Sequence, residues 1–283
     1  MSNATQSVAA ARINSLLDAN SFVEIGQAVT ARTTDFNMTE KKAPSDGVIT
    51  GYGVIDGSLV YVYSQDASVL NGTVGEMHAK KIAKIYDLAL KVGAPVIGLV
   101  DCAGLRLQEA TDALEAFGEI YLKQTLASGV VPQITAVFGT CGGGMAVVPA
   151  LTDFTFVEEK KGRLFVNTPN ALKGNRVEKC DSASAQFQSE ETGLVDGIGT
   201  EDEILGQIRT LISMLPENNE DNDSFKECTD DLNRVCDDIA GCTGDTAIAL
   251  SRIADNGEFF ETKAAYGQDI VTGFLRLNGA DRK

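Results

Sequence analysis

The stretch Gly139-Thr-Cys-Gly-Gly-Gly-Met-Ala-Val-Val-Pro-Ala-Leu-Thr-Asp153 directly follows an apolar run at residues 131–138. This order predicts a strand, a tight turn and the start of a helix. Consecutive glycines let the backbone take positive φ angles and come close to a ligand. Because the first N–H groups of a helix lack intrahelical acceptors, such a turn can bind an anion, including a thioester oxyanion. A glycine turn that only packs a helix tightly against a strand has the same sequence pattern.

A second corner of this kind lies at residues 95–109, where an apolar run is followed by small residues and then by helix formers. Before it, Asp56-Gly57 separates two apolar runs and is a strong signal for a hairpin turn. Apolar residues at helical spacing predict a helix over residues 76–92 that ends at Gly93. The order of two strands and a helix differs from a simple doubly wound sheet, and no dinucleotide or P-loop motif follows any strand.

Further elements follow the same reasoning. A helix is predicted over residues 107–128, with a buried face made of Ala110, Leu114, Phe117 and Tyr121. Thr200-Glu-Asp-Glu203 is a capping box and predicts the start of another helix. The polar stretch 30–46 has no clear period and is predicted to be a mobile loop. Together these elements predict an α/β fold.

Asp101-Cys-Ala-Gly-Leu-Arg-Leu-Gln-Glu109 resembles the D-S-G-G-A-R-x-Q-E motif of the carboxyltransferase subunits of biotin-dependent acyl-CoA carboxylases and decarboxylases. Ala127-Ser-Gly-Val-Val-Pro-Gln-Ile134 and Pro149-Ala-Leu-Thr-Asp-Phe-Thr-Phe156 are similar to the propionyl-CoA carboxylase β branch of that family. The resemblance covers nearly the whole chain and implies a crotonase-like spiral of repeated ββα units. Family members usually consist of two homologous halves, and this sequence resembles the N-terminal half.

The resemblance implies a role in moving a carboxyl group between carboxybiotin and the α-carbon of an acyl-CoA. Gly143 and Gly144 would supply a catalytic pair of N–H groups for the oxyanion of the thioester or of the transferred carboxyl group, and the second half would supply the pair for biotin. The residues implied in substrate binding are Gly72, Lys80, Gly104, Leu105, Arg106 and Gly142. Lys81, Lys173 and Arg176 are further candidates for the coenzyme A phosphates, although each could be an ordinary solvated cation.

The chain departs from the family motif at Cys102, Ala103 and Leu105, where the family usually has Ser, Gly and Ala. A bulkier Leu105 would narrow the acyl pocket or shift the turn, so the acyl group is left unassigned. The region 184–193 also lacks a histidine that is usual in the family. Cys102 and Cys141 lie at glycine turns, where a helix N-terminus can activate a thiol, or they are small buried packing residues.

The chain has 283 residues, of which 43% are hydrophobic, with a formal net charge of −16 and six cysteines. This length suits one large α/β domain. The charge argues against nucleic acid as a partner, because a phosphate backbone would be repelled. The cysteines form no C-x-x-C pair and are interpreted as reduced thiols, and no metal site is expected. Without a signal sequence or a long apolar run, the predicted location is the cytoplasm, either free or with a membrane decarboxylase complex.

Residues 1–265 are predicted to form the N-terminal crotonase-like domain, and residues 266–283 the start of a second half or a C-terminal tail. The second half is expected either as a separate subunit or as the continuation of a longer protein. The polar end 280–283, which does not continue an apolar strand, favours the separate subunit. The resemblance implies this second-half subunit and a biotin carboxyl carrier protein as partners, in an oligomer. The run 269–279 predicts a terminal strand with an unpaired edge, which would also favour association.

Two other functions fit the residues. A stand-alone crotonase-type acyl-CoA hydratase or hydrolase would need an acidic side chain at the glycine turn. Glu109 is the nearby candidate, although capping of the first helical turn explains it better. A non-catalytic assembly subunit would need no such group. His78, the single histidine, is a candidate general base, or it lies beside coenzyme A or caps a helix.

Overall fold

The computed structural model describes residues 7–32, 43–221, 227–236, 238–242 and 244–282. The α helices in these ranges are α1 (Val8–Leu16), α2 (Glu76–Val92), α3 (Ala110–Ala127), α4 (Val147–Leu151), α5 (Ala185–Glu190), α6 (Glu201–Met214) and α7 (Thr246–Ile253). The β strands there are β1 (Val23–Ile25), β2 (Val48–Ile55), β3 (Ser58–Gln65), β4 (Val96–Cys102), β5 (Gln133–Gly142), β6 (Phe154–Glu158), β7 (Arg163–Phe165), β8 (Gly197–Gly199), β9 (Phe259–Thr262), β10 (Thr272–Leu277) and β11 (Ala280–Arg282).

The main sheet has the strand order β1-β2-β3-β4-β5-β6-β8, and β7 pairs with the end of β5. Strands β2 and β3 form the predicted antiparallel hairpin around Asp56-Gly57. The pairs from β3 to β8 along this order are parallel. Parallel strands end at the same edge of a sheet, so the turns that follow β3, β4 and β5 meet there. The predicted α/β class is confirmed.

Helices cover both faces of this sheet, and the strand residues alternate between the two faces. In β3, Tyr61 and Tyr63 lie in one buried cluster with residues of α2 and α3. Val60 and Val62 lie in a second cluster with residues of α1 and α6. Helix α2 has the predicted bounds and ends at Gly93, which has φ +76°. The predicted capping box is present at the start of α6.

Helix α3 begins later than predicted, and its buried face is rotated from the predicted one, although Phe117 belongs to both. Residues Leu107–Glu109 form a 3-10 turn, and the α helix starts at Ala110. Its buried residues are Ala113, Ala116, Phe117, Ile120, Gln124 and Ala127, whereas Leu114 is 61% exposed. The prediction of Ala110 and Leu114 as core residues was wrong. The predicted residues and the residues that are in fact buried both recur at helical spacing. The small side chains of Ala113 and Ala116 allow close packing that bulkier residues would prevent.

A second, three-stranded sheet forms the end of the described chain. Strand β10 lies between β9 and β11 and pairs antiparallel with both. The prediction that this terminal strand lacks partners was therefore wrong, because β9 and the closing hairpin supply them. The sheet joins residues on both sides of the predicted domain boundary at 265, which stays a prediction.

The predicted loop at residues 30–46 lies mostly outside the described residues, which exclude 33–42. Where the description resumes, Ser45–Gly47 forms a 3-10 turn in which Asp46 is fully buried. Across the described ranges, no helix is long and apolar enough to cross a membrane.

Candidate active site

Two of the glycine turns lie side by side at the carboxyl edge of the sheet. Cys102 at the end of β4 is the register partner of Cys141 in β5. Gly104 has φ +111°, and a Cβ there would lie 3.1 Å from the carbonyl oxygen of Gly142. This close approach and the positive φ explain the need for glycine at 104. The structure thus brings together Gly104 and Gly142, two of the residues implied in substrate binding.

Gly143 and Gly144 begin a short helix, and the space beside Gly143 is open. The 3-10 helix Gly143–Ala146 leads directly into α4. As the first residues of a helix, both have N–H groups without an intrahelical acceptor. Gly143 has φ +61°, and a Cβ there would meet no atom within 4 Å. The turn therefore has two donors without intrahelical acceptors and, at Gly143, an open approach. Both features favour binding of an oxyanion.

Gly144 is held from behind by helix α3. The hydroxyl of Tyr121 donates a hydrogen bond to the carbonyl oxygen of Gly144. A Cβ on Gly144 would lie 3.1 Å from this hydroxyl and 3.3 Å from the ring of Phe117. The rings of Phe117 and Tyr121 are themselves in contact, with centroids 6.0 Å apart. This side of the turn is consequently a packing surface, and the open side is that of Gly143.

A third turn, between β3 and α2, is hydrogen-bonded to the turn that follows β4. Val74 donates its N–H to the carbonyl of Gly104 at 2.9 Å, and Arg106 donates its N–H to the carbonyl of Val74 at 3.0 Å. Gly72 is buried with φ +63°, and a Cβ there would overlap with the carbonyl of Asp101. The contacts of Gly72 indicate a role in close backbone packing behind the site. Leu105 is half-buried and packs against the core beside this turn.

Arg106 is buried, and its side-chain donors are used within the protein. Its side chain is buried, and Nη1 binds Asp46 Oδ1 and, at 3.0 Å, Glu109 Oε1. Nη2 donates to the carbonyls of Thr73 at 2.6 Å and Asp46 at 3.4 Å, and Nε donates to Thr73 Oγ1 at 3.4 Å. These contacts use all five N–H donors of a guanidinium. The resemblance implied that Arg106 contacts the substrate directly. Such a contact would need an unused side-chain N–H donor, and Arg106 has none.

Glu109 is also engaged on both oxygens. Oε1 pairs with Arg106, and Oε2 accepts the N–H of Glu76 at 2.6 Å. It therefore caps α2, the neighbouring helix, and not its own as predicted. Asp46, the other partner of Arg106, was missed because it lies in a polar stretch without periodicity. Burial raises the pKa of Asp46, and the charge of Arg106 opposes this shift.

Neither lysine at the start of α2 is a free cation. Lys80 Nζ lies 2.6 Å from Glu76 Oε1. It lines a groove of about 560 Å³ whose charged residues are Arg32, Glu76, Lys80, Asp112, Glu115 and Glu119. This groove has an excess of carboxylates, which disfavours phosphate. Lys81 is buried and donates to the carbonyls of Ser45, at 2.9 Å, and Val48. Burial lowers the pKa of Lys81 to about 8.

The two cysteines of the site are packing residues. Cys102 and Cys141 are both fully buried. Cys102 Sγ lies 3.3 Å from the N–H nitrogen of Gly104, and Cys141 Sγ lies 3.4 Å from the carbonyl of Met145. Burial raises the pKa of the Cys102 thiol to about 12, and burial likewise raises the pKa of Cys141. A thiol that stays protonated is a poor nucleophile, so the packing interpretation is favoured.

Similar known proteins identify the family of this chain. Residues 2–281 match the carboxyl transferase domain family. The chain belongs to this family. The methylmalonyl-CoA decarboxylase subunit alpha of Propionigenium modestum is 40% identical over 279 residues, which cover 95% of this chain and 54% of that protein. The mitochondrial propionyl-CoA carboxylase beta chain of Rattus norvegicus is 38% identical over 288 residues, with 95% and 52% covered.

Solved structures of other proteins resemble this domain. A transcarboxylase 12S structure with hydrolysed methylmalonyl-coenzyme A bound has a TM-score of 0.90 and 34% identity, and the match covers 96% of this chain and 55% of that one. A Pseudomonas malonate decarboxylase hetero-tetramer has a TM-score of 0.64 at 23% identity and shares the fold. The predicted crotonase-like fold is confirmed. The chain spans about half the length of the curated relatives it matches.

His78 of this carboxyl transferase domain is enclosed beneath the site. It is fully buried, with Nδ1 2.9 Å from the carbonyl oxygen of Asp46 and Nε2 3.0 Å from Gln65 Nε2. A neutral ring that donates from Nδ1 and accepts at Nε2 satisfies both contacts. Burial lowers the pKa of His78 to about 3, and the charge of Arg106 adds to the shift. A position beside coenzyme A, one of our predictions, does not agree with this enclosure.

We expect His78 to make the protein less stable as the pH falls. Its folded pKa lies below the unfolded value of 6.5, so only the unfolded state takes up a proton as the pH drops from 6.5 towards 3. The loss between pH 7 and pH 5 should be about 2 kcal/mol. Urea unfolding at both pH values would measure it for the wild type and for His78→Asn. Because His78 is the single histidine, an equal pH dependence in the variant would contradict the prediction.

Proposed function

We propose that this chain is the first half of an acyl-CoA carboxyltransferase, which moves a carboxyl group between carboxybiotin and the α-carbon of an acyl-CoA. The observation that carries the proposal is the open helix start at Gly143 and Gly144, beside the contact of Gly104 with Gly142. N–H groups without intrahelical acceptors, with an unobstructed approach at Gly143, suit an oxyanion. The names of the relatives, which include propionyl-CoA and methylmalonyl-CoA enzymes, support this class of substrate.

The chemistry needs an oxyanion site more than a reactive side chain. Carboxylation at the α-carbon passes through an enolate, in which negative charge collects on the thioester oxygen. The N–H groups of Gly143 and Gly144 would stabilise this oxygen with hydrogen bonds that strengthen as the charge develops. Biotin, when bound through its carrier, supplies the carboxyl group. The buried thiols of Cys102 and Cys141 and the enclosed ring of His78 take no part in this scheme.

The length of the relatives supports a second-half partner. We infer that a second half, encoded separately or as part of a longer protein, completes the site and holds biotin. A biotin carboxyl carrier protein would deliver biotin, and the assembly would be an oligomer in the cytoplasm, in some systems with a membrane decarboxylase. Leu105 packs beside the turn where the family motif usually has alanine. The size of the acyl group therefore stays open within the short acyl-CoA class.

The alternative of a stand-alone hydratase or hydrolase has less support. Its candidate acid was Glu109, and both oxygens of this carboxylate are used, by Arg106 and by the N–H of Glu76. A purely structural assembly subunit would have no need for the open turn at Gly143. The hydratase and the hydrolase predict products that differ from those of the proposed transfer. An assembly subunit predicts that substitution of Gly143 leaves transfer by the complete complex unchanged.

We expect the purified chain alone to transfer no carboxyl group from methylmalonyl-CoA to free biotin, because it contains one of the two halves. The chain combined with its second half should carry out the transfer, measured as decarboxylation of labelled methylmalonyl-CoA that depends on biotin. Release of free coenzyme A or hydration of an enoyl-CoA by the chain alone would favour the hydrolase or hydratase. Rapid biotin-dependent turnover without a second half would contradict the proposal.

A further inference from the structure

Three consecutive glycines form the candidate oxyanion turn, and their backbone has to be held in place by other parts of the chain. Gly142, Gly143 and Gly144 carry no Cβ, and glycine loses more conformational freedom on folding than any other residue. An oxyanion site works only if its N–H groups stay within about 0.5 Å of their productive positions. The contacts that neighbouring elements make with this turn therefore decide how well it can act.

On one side, the sheet holds the turn. Gly142 is the last residue of β5 and pairs in register with Phe165 of β7. Its carbonyl oxygen lies close to Gly104, where an added Cβ would be 3.1 Å from it. Because the peptide unit is planar, this carbonyl and the N–H of Gly143 turn together. The direction of the Gly143 N–H is thus fixed by the contacts of β5.

On the other side, helix α3 holds the turn. The Tyr121 hydroxyl donates to the carbonyl of Gly144, and Gln124 Nε2 donates to the carbonyl of Val148 at 3.4 Å. Residues three positions apart lie on one face of a helix, so one face of α3 binds both the 3-10 turn and α4. Of these two donors, Tyr121 is the one that binds a glycine. Its acceptor carbonyl is separated from the Gly144 N–H by only the φ and ψ angles of Gly144.

The hydroxyl of Tyr121 is suited to hold a backbone group. The side chain is half-buried, and its ring contacts the ring of Phe117, with centroids 6.0 Å apart, which limits the movement of the hydroxyl. Burial raises the pKa of Tyr121 above the ordinary value of 10.0. The phenol therefore keeps its proton and remains a donor at neutral pH. Phenylalanine at this position would keep the ring and lose only the donor.

We propose that Tyr121 is a positioning residue of the oxyanion turn, whose hydroxyl holds the Gly144 carbonyl and so keeps the N–H of Gly144 aimed at the thioester oxygen. The inference rests on the proposed function, because it concerns the same turn. Tyr121 approaches Gly144 from the side that is packed against α3, so it acts through the backbone and not on the substrate. Loss of its hydroxyl should affect the transition state, in which the oxyanion carries charge, more than the bound substrate.

The first test is the mobility of the turn in the full chain, with its glycine nitrogens isotopically labelled and their relaxation measured by NMR. The amide order parameter of Gly144 should be close to the rigid value of about 0.85 in the wild type and below about 0.6 in Tyr121→Phe. Gly118, in the middle of α3, reports on the helix itself and should keep its wild-type order parameter. This measurement needs neither the second half nor a substrate.

The second test is the rate of biotin-dependent decarboxylation of methylmalonyl-CoA by the complete complex. Tyr121→Phe should lower kcat about tenfold, because a displaced oxyanion donor loses about the energy of one hydrogen bond. KM for methylmalonyl-CoA should change less than about twofold. The matched control is Tyr266→Phe, which removes the same atom from a tyrosine that contacts Gly193 near the start of β8, at the edge of the sheet opposite the glycine turn. Its kcat and KM should stay at the wild-type values.

The outcomes separate this inference from the proposed function. An unchanged kcat in Tyr121→Phe, whatever happens to KM, would overturn the positioning role, and so would an unchanged order parameter at Gly144. An equal loss of kcat in Tyr266→Phe would also overturn it, because the effect would then be a general consequence of removing a hydroxyl. Absence of transfer by the wild-type complex would instead overturn the proposed function, and the relaxation measurement alone would then decide whether Tyr121 holds the turn.

Discussion

Replacing Arg106 with methionine should lower the free energy of unfolding by about 3–5 kcal/mol, which is the cost of breaking a buried ion pair from one side. The substitution would leave two buried carboxylates, Asp46 and Glu109, without their shared cation. Methionine fills a similar volume, so the loss would come from charge and hydrogen bonding more than from a cavity. Urea unfolding monitored by circular dichroism measures the change.

A matched surface pair provides the control. Arg252 and Asp238 lie 3.0 Å apart with both side chains more than half exposed, so Arg252→Met should cost about 0–1 kcal/mol. If Arg106→Met unfolds the protein outright, the added substitutions Asp46→Asn and Glu109→Gln should restore part of the stability, because they remove the uncompensated charges. Two results would contradict a main stabilising role for the buried triad of Arg106, Asp46 and Glu109. One is a stability loss in Arg106→Met as small as that in Arg252→Met, and the other is no recovery of stability in the triple variant.

This triad illustrates what the sequence could not predict. Arg106 belongs to a recognisable motif, and on that basis it was assigned to substrate binding. Its partner Asp46 is 60 positions away in a polar stretch without periodicity, and a long-range pair of this kind has no local sequence signal. The exposure of a cation also depends on tertiary packing, so the sequence could not separate the buried Lys81 from the exposed Lys173.

Elements whose causes are local were predicted well. The hairpin at Asp56-Gly57, the bounds of α2 and the capping box of α6 each depend on a few adjacent residues. The buried face of α3 was predicted one position off, since two stripes of that helix have helical spacing and only tertiary packing selects between them. The glycine turns were located correctly. Their distinct roles, with Gly143 open and Gly144 packed against α3, required the structure.

The last prediction concerns Gly143 itself, where Gly143→Val should reduce carboxyl transfer by the complete complex about 10²–10³-fold. A β-branched residue is strongly disfavoured at φ +61°, so the backbone should rotate and turn its N–H away from the oxyanion position. A Cβ at 143 meets no protein atom within 4 Å, so the substitution should introduce no clash within the chain. The thermal stability should consequently fall only by the cost of backbone strain.

Gly129 offers a closely matched control, because it has φ +73° and a Cβ there would also meet no atom within 4 Å. It follows α3 at the opposite edge of the sheet, away from the turns of the site. Gly129→Val and Gly143→Val should therefore lower the melting temperature by similar amounts, while only Gly143→Val should lose transfer activity. Gly144→Val should lose both, because its side chain would press on Tyr121 and Phe117. If the Gly129 and Gly143 variants transferred the carboxyl group at equal rates, this turn would have no oxyanion role and only a packing function.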